Sequence, residues 1–352
     1  MKARPASLTL LCIFCCPLFA QQAGGSGQPN RTITLDVAVN DKSGKPVLGL
    51  QQQDFTLLDN KQPQKIVSFH AVEGVKAEPP VEVIVLVDEV NASFRSVAVE
   101  RQQIQSFLKR DGGELPRPVS IAFLADKGAI MSDTASQDGN SLSADLDQNK
   151  NALRTSVRSQ GFYGASDRLQ LSLRTVGELA EHEATRPGRK LVIWISPGWA
   201  LLSGPNVELS SKNQQQIFRS IVALSGQLRQ ARITLYNIDP LGLADAGGLR
   251  TSYYREFLKG VRTPNQVHFG NLGLQVLATQ SGGLVLNSSN DVAEEIAKCV
   301  ADANAFYVLS FEGLAGDGPD DYHALDIKVD RPGVVARTRA GYYAQPEQMR
   351  AP

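Results

Sequence analysis

"VEVIVLVDEVNASF", residues 81–94, decides how the chain folds. Apart from Glu82, the run from Val81 to Val87 is unbroken Val, Ile and Leu. An apolar run that does not alternate reads as a strand covered on both faces, the kind found in parallel sheets. It stops at Asp88 and Glu89, with Asn91 and Ser93 close behind. In parallel sheets ligands gather beyond the carboxyl ends of the strands. The same stretch therefore poses the functional question of what the Asp88 carboxylate holds.

Downstream, strands and helices alternate. A helical pattern carries Val97, Ile104 and Leu108, and "VSIAFLAD" (119–126) is the next strand. Asp126-Lys127-Gly128 reads as a hairpin turn into a short strand at 129–134. A helix lies within 141–160, and Leu169, Leu173, Val176 and Ala180 form one stripe at helical spacing on the next, over 167–184. "RKLVIWISPG" (189–198) and "ITLYNIDP" (233–240) are strands on either side of a helix over 213–231. Gly282-Gly283 suits a helix C-terminus, then "LVLN" and a helix at 291–303 follow. The alternation predicts an α/β fold over 80–303: a doubly wound, mostly parallel sheet, Rossmann-like, with helices on both faces.

The ends differ from the middle. In 31–79, Ile33, Leu35, Val37 and Val39 alternate on one strand, and "DFTLLDNKQPQKIVSF" (54–69) reads as two short strands about Asp59-Asn60. In 304–345, strands are expected at 305–313, 322–330 and 333–343. Each segment alone leaves an apolar face uncovered, so the two are expected to pair as a small β-sandwich.

Of the 352 residues 42% are hydrophobic and 20% charged, and 36 basic residues balance 36 acidic ones. No net charge draws the chain to nucleic acid. Residues 1–20 carry Lys2 and Arg4 before an apolar run from Leu8 to Phe19, too short to span a bilayer, and read as a secretory signal cleaved after Ala20. No transmembrane anchor then remains in the expected exported protein, periplasmic or extracellular. Lipid attachment at Cys12, Cys15 or Cys16 is disfavoured by the residues before them, and 21–30 reads as a flexible leader. Cys299 is left alone and reads as a small buried residue. None of His70, His182, His268 or His323 lies in a pairing motif, and no nucleophile elbow or metalloprotease motif is present.

A strand ending in Asp within a doubly wound core resembles a von Willebrand factor type A (VWA) domain. "VNDKSGKPVLGLQQQDFTLLDNKQPQKIVSF" and "YVLSF…IKV…RPGVVARTRAGYY" resemble the exported acidobacterial subfamily of VWA-related proteins. The resemblance covers about residues 31 to 345 and implies adhesion-type recognition of a protein partner. It also implies a metal-ion-dependent adhesion site, Asp-x-Ser-x-Ser plus a Thr and a second Asp, for Mg²⁺ or Ca²⁺. Here Asp88 fits the first Asp, but Val90 and Ala92 replace the two Ser. Ser166 fits the Thr position and Ser196 stands where the second Asp should be. Asn91 and Ser93 could lend oxygens, so the expected site is degenerate: Asp88, Asn91, Ser93, Ser166 and Ser196, binding a divalent cation weakly or not at all. The plainer reading gives Asp88 to backbone amides and makes Ser166 a helix N-cap. Asp239 before Pro240 reads as a turn former. Tyr253-Tyr254 and Tyr342-Tyr343 are candidate recognition aromatics, the second pair with one ring in the sandwich core. The expected function is a non-catalytic, exported protein-binding module. The alternatives are a hydrolase using Asp88 with Glu89 or Lys127, or an architectural component of the cell envelope.

Overall fold

The structure, a computed structural model, describes residues 32–74, 81–132, 134–148, 161–199, 209–241, 261–267 and 273–346. The expected signal over 1–20 and leader over 21–30, and Tyr253-Tyr254, lie outside the described residues. Four strands come first: β1 (Thr32–Asp41), β2 (Phe55–Asp59), β3 (Gln62–Gln64) and β4 (Ile66–Glu73). The middle runs β5 (Glu82–Asp88), α1 (Phe94–Leu108), β6 (Glu114–Ala125), β7 (Gly128–Ile130), β8 (Ser136–Asp138), α2 (Gly139–Gln148) and α3 (Gly161–Ala184). It continues through β9 (Lys190–Ile195), α4 (Ser211–Gln230), β10 (Ile233–Ile238), α5 (Leu274–Ser281), β11 (Val285–Leu286) and α6 (Val292–Ala301). The last strands are β12 (Ala305–Glu312), β13 (Asp321–Val329), β14 (Val334–Arg337) and β15 (Gly341–Ala344).

The central sheet has the order β11-β10-β9-β5-β6-β7, parallel from β11 to β6, with β7 and β8 antiparallel to β6. Alternation within the apolar strands feeds two cores. Val83, Val85 and Val87 join a cluster with α1, α2 and α6 that includes the buried Cys299. Ile84 and Leu86 join one with α3, α4 and α5. Helices thus cover both faces, which is why these strands carry so few polar residues. The chain leaves β5 for β6 on one side and returns to β9 on the other, so the sheet's switch point lies between β5 and β9. Among the described residues no helix is long and apolar enough to cross a membrane.

The terminal strands form two four-stranded antiparallel sheets, β14-β1-β12-β4 and β15-β13-β2-β3, each mixing both ends of the chain. Their apolar residues, among them Leu35, Leu57, Leu309, Phe311 and Tyr342, share one cluster.

Three expectations need correction. Residues 333–343 are two strands in different sheets, because Thr338 to Ala340 cross between them. Thr338 Oγ1 donates to the Asp36 carbonyl at 2.9 Å, and the Ala340 amide to the Gln280 carbonyl at 3.3 Å. Residues 54–69 hold parts of three strands, since Asn60 and Lys61, both at positive φ (46° and 68°), turn the chain in a two-residue hairpin. Helix α3 starts at Gly161, so Ser166 lies within the helix and is not its N-cap.

Candidate functional site

At the carboxyl edge of β5, Asp88 is 0% exposed and surrounded by donors. Its Oδ1 accepts from the amides of Val90 (3.0 Å) and Asn91 (2.8 Å). The Asn91 Nδ2 donates to both carboxylate oxygens, at 3.2 and 2.9 Å, and Trp194 Nε1 of β9 donates to Oδ2 at 3.1 Å. Ser196 adds a side-chain hydrogen bond. Burial raises the carboxyl's pKa, and the hydrogen bonds of Asn91, Ser196 and Trp194 pull against that rise. The arrangement folds the loop after β5 around the carboxylate and ties it to β9.

The next shell comes from other elements. Asn91 Nδ2 also reaches Ser172 Oγ of α3, at 3.0 Å. Ser196, fully buried, accepts at Oγ from the Gly198 amide (3.1 Å) and at its carbonyl from Asn237 Nδ2 of β10 (2.9 Å). Gln275 of α5 donates to Asn237 Oδ1 at 3.1 Å. Gly198, at φ 105°, packs so closely on Gln275 that an added Cβ would lie 2.7 Å from Nε2. The Trp194 and Trp199 rings meet edge-on at 5.4 Å.

The structure therefore brings Asp88, Asn91 and Ser196 together. Ser93 does something else: it caps α1, accepting from the Ser96 amide at 3.2 Å. Ser166 sits half-buried inside α3. Asp239 is the expected turn former, accepting from the Leu241 amide at 2.9 Å. Sequence reasoning missed Trp194, Ser172 and Asn237, which approach from distant elements with no shared spacing.

It also missed a group of buried acids. Glu89 is pushed up to about 8, by burial first and then by the charges of Asp126 and Asp88. Glu295 of α6 is raised to about 7, chiefly by burial, with Lys298 opposing and Asp239 and Asp291 adding. Glu100 of α1 lies well above the ordinary range through burial, then Asp88 and Asp239. Both of its carboxyl oxygens are buried without a hydrogen-bond partner. Such groups are held neutral by their surroundings.

The donor set at Asp88 does not fit Mg²⁺ or Ca²⁺. Its oxygens already face N–H groups, Val90 and Ala92 offer no side-chain oxygen, and Ser93 is engaged as a cap. Among the described residues no three His, Cys, Asp or Glu side chains gather in one place.

No protein-family model matches the chain, and no curated protein matches it. Among solved structures it is similar to proximal thread matrix protein 1 from the mussel byssus, at 14% identity and TM-score 0.38, over 69% of this chain and 51% of that one. It is also similar to the SpRpn10 VWA domain, at 9% identity and TM-score 0.31, over 61% and 93%. A third is the pilus adhesin SpaC from Lactobacillus rhamnosus GG in its open conformation, at 10% identity and TM-score 0.36, over 86% and 48%. The chain spans about half the length of the byssus protein (51%) and of the adhesin (48%). Scores this low carry no argument, and the α/β assignment rests on the strand order and the placement of the helices.

Proposed function

We propose that the chain is an exported, non-catalytic module of VWA-like architecture that recognises a partner protein at the carboxyl rim of its central sheet. In this reading residues 1–20 direct export, and the two terminal sheets form a β-sandwich beside the α/β unit. The adhesion site is degenerate, and Asp88 shapes the rim without holding a cation.

One observation supports this reading above the others. The loop fixed from below by Asp88 leads directly into Phe94, which is 56% exposed at the first turn of α1 between the exposed Ser93 and Arg95. A large aromatic held in solvent by a rigid base suits the anchor position of a protein interface. In the test, the full chain and Phe94→Ser are immobilised and used to capture proteins from a cell-envelope extract. The reading expects a protein retained by the parent and lost by the variant, with both unfolding at the same denaturant concentration. Identical captures by the two would overturn it.

The hydrolase alternative draws on Glu89, whose raised carboxyl could serve as a general acid near neutral pH. It predicts turnover of an ester or glycoside that Glu89→Gln abolishes and Phe94→Ser leaves intact.

A further inference from the structure

At the opposite edge of the sheet, α4 ends and leads into β10, and a cavity of about 360 Å³ opens between this helix end and β15. Arg229, Arg339, Gln227 and Tyr342 are among its lining. Arg339 is only 8% exposed and Arg229 is half-buried. Arg117, Arg189 and Arg337 each donate to a protein oxygen, although the Nε of Arg117 and of Arg189 makes no hydrogen bond. Arg117 donates to the Ala303 carbonyl at 2.7 Å, and Arg189 to the Asp302 carbonyl at 3.0 Å. Arg337 pairs with Asp302. Among the described residues the guanidinium groups of Arg229 and Arg339 have neither a hydrogen bond nor an ion pair, and Arg229 is bonded only through its backbone. Asp36, the carboxylate whose charge reaches Arg339, is committed to Arg232 at 2.5 Å.

Two guanidinium groups thus share this cavity, and in an adjoining one Arg232 joins them around a single carboxylate, Asp36. Burial first, and Arg229's charge second, push the Arg339 pKa down to about 10, and burial lowers that of Arg229. A buried cation left this way is destabilising unless something completes it. The Arg339 backbone is held firmly. An added Cβ on Gly282 would lie 2.8 Å from the Arg339 amide nitrogen, and hydrogen bonds of Thr338 and Ala340 pin the link on both sides. Paired planar forks match the oxygens of a carboxylate or phosphate. The volume is at the small end of ligand sites, which suits a molecule of metabolite size.

We propose that this cavity is a binding site for a small oxyanion-bearing molecule, a carboxylate or a phosphate, gripped jointly by Arg229 and Arg339. The site is independent of the rim and joins the α/β unit, through α4, to the terminal sheets, through β15. Binding there would brace the two parts against each other.

The test titrates the full chain with inorganic phosphate and, separately, with citrate, at constant ionic strength against a chloride control. Calorimetry and thermal unfolding are both read. A saturable response to at least one anion, with a raised unfolding midpoint, is expected. Arg229→Gln and Arg339→Gln should each weaken binding by about tenfold or more. Arg339→Gln should also raise the midpoint in anion-free buffer, because it removes a buried repulsion. A response to phosphate alone assigns a phosphate ligand, and one to citrate alone a carboxylate. No saturable response to either anion, or a response that survives both substitutions, overturns the proposal. Should Arg339→Gln fail to fold, Arg229→Gln on the half-buried helix surface decides the matter.

Discussion

Asp88 shows how a residue legible in the sequence acquires its role from residues that are not. Its place after an apolar strand marks it at once, yet Trp194 and Ser172, which complete its surroundings, lie 106 and 84 positions away in the chain and leave no local signature. Asp88→Asn puts an amide against donors of Asn91 and Trp194 and should destabilise the fold by about 2–4 kcal/mol, measured by urea unfolding. The buried acids set a second expectation. Glu89 and Glu295 ionise near 4.5 when unfolded, but near 8 and 7 when folded. Between those values the native state holds the extra protons, so their contribution is complete below about pH 4.5 and is lost as pH rises towards about 8. Urea midpoints should therefore fall across that window. Glu89→Gln should match the parent at about pH 4 and exceed it at about pH 9, and a parallel decline in both proteins would refute the assignment. These acids escaped sequence reasoning because an acid in a loop or on a helix is usually solvated, and only packing reveals that these are not.

At the level of elements, periodicity located almost every strand and helix but could not say how the strands are shared among sheets. The alternation of 333–343 is a property of each residue and its neighbours. Whether those strands join one sheet or two depends on Asp36 and Gln280, whose carbonyls hold the crossing link. The N-cap signal at Ser166 misled for a related reason: a serine inside a helix is unfavourable by only a few tenths of a kcal/mol, too little to stop α3. The Gly282-Gly283 reading succeeded because it rests on backbone sterics. Gly282 caps α5 at φ 91°, and an added Cβ on Gly283 would lie 1.8 Å from the Leu235 carbonyl oxygen of β10. Gly283→Ala must push α5 off the sheet, and a loss of about 3 kcal/mol or more in denaturant unfolding is expected. Gly226→Ala, where an added Cβ meets nothing within 4 Å, should be close to neutral or slightly stabilising in the same assay.

In the whole molecule the α/β unit and the terminal sheets meet at Asp302. Its Oδ2 accepts from Tyr236 Oη of β10 at 2.7 Å and pairs with Arg337 of β14, while its carbonyl accepts from Arg189 at 3.0 Å. Asp302→Ala strands Arg337 without its carboxylate and should lower stability by about 3–5 kcal/mol. Because the junction ties both parts, the parent should unfold in one transition, and Asp302→Ala should separate it into two, by circular dichroism against near-ultraviolet signal. The order of the outer sheet carries a further consequence. β12 lies between β1 and β4, so the first four strands have no way to close on themselves. During translation they must wait for more than two hundred further residues, on the order of ten seconds or longer on the ribosome. Throughout that interval their edges are open to any other extended segment, so a chaperone that holds the nascent N-terminal stretch should govern how much of this protein matures instead of aggregating.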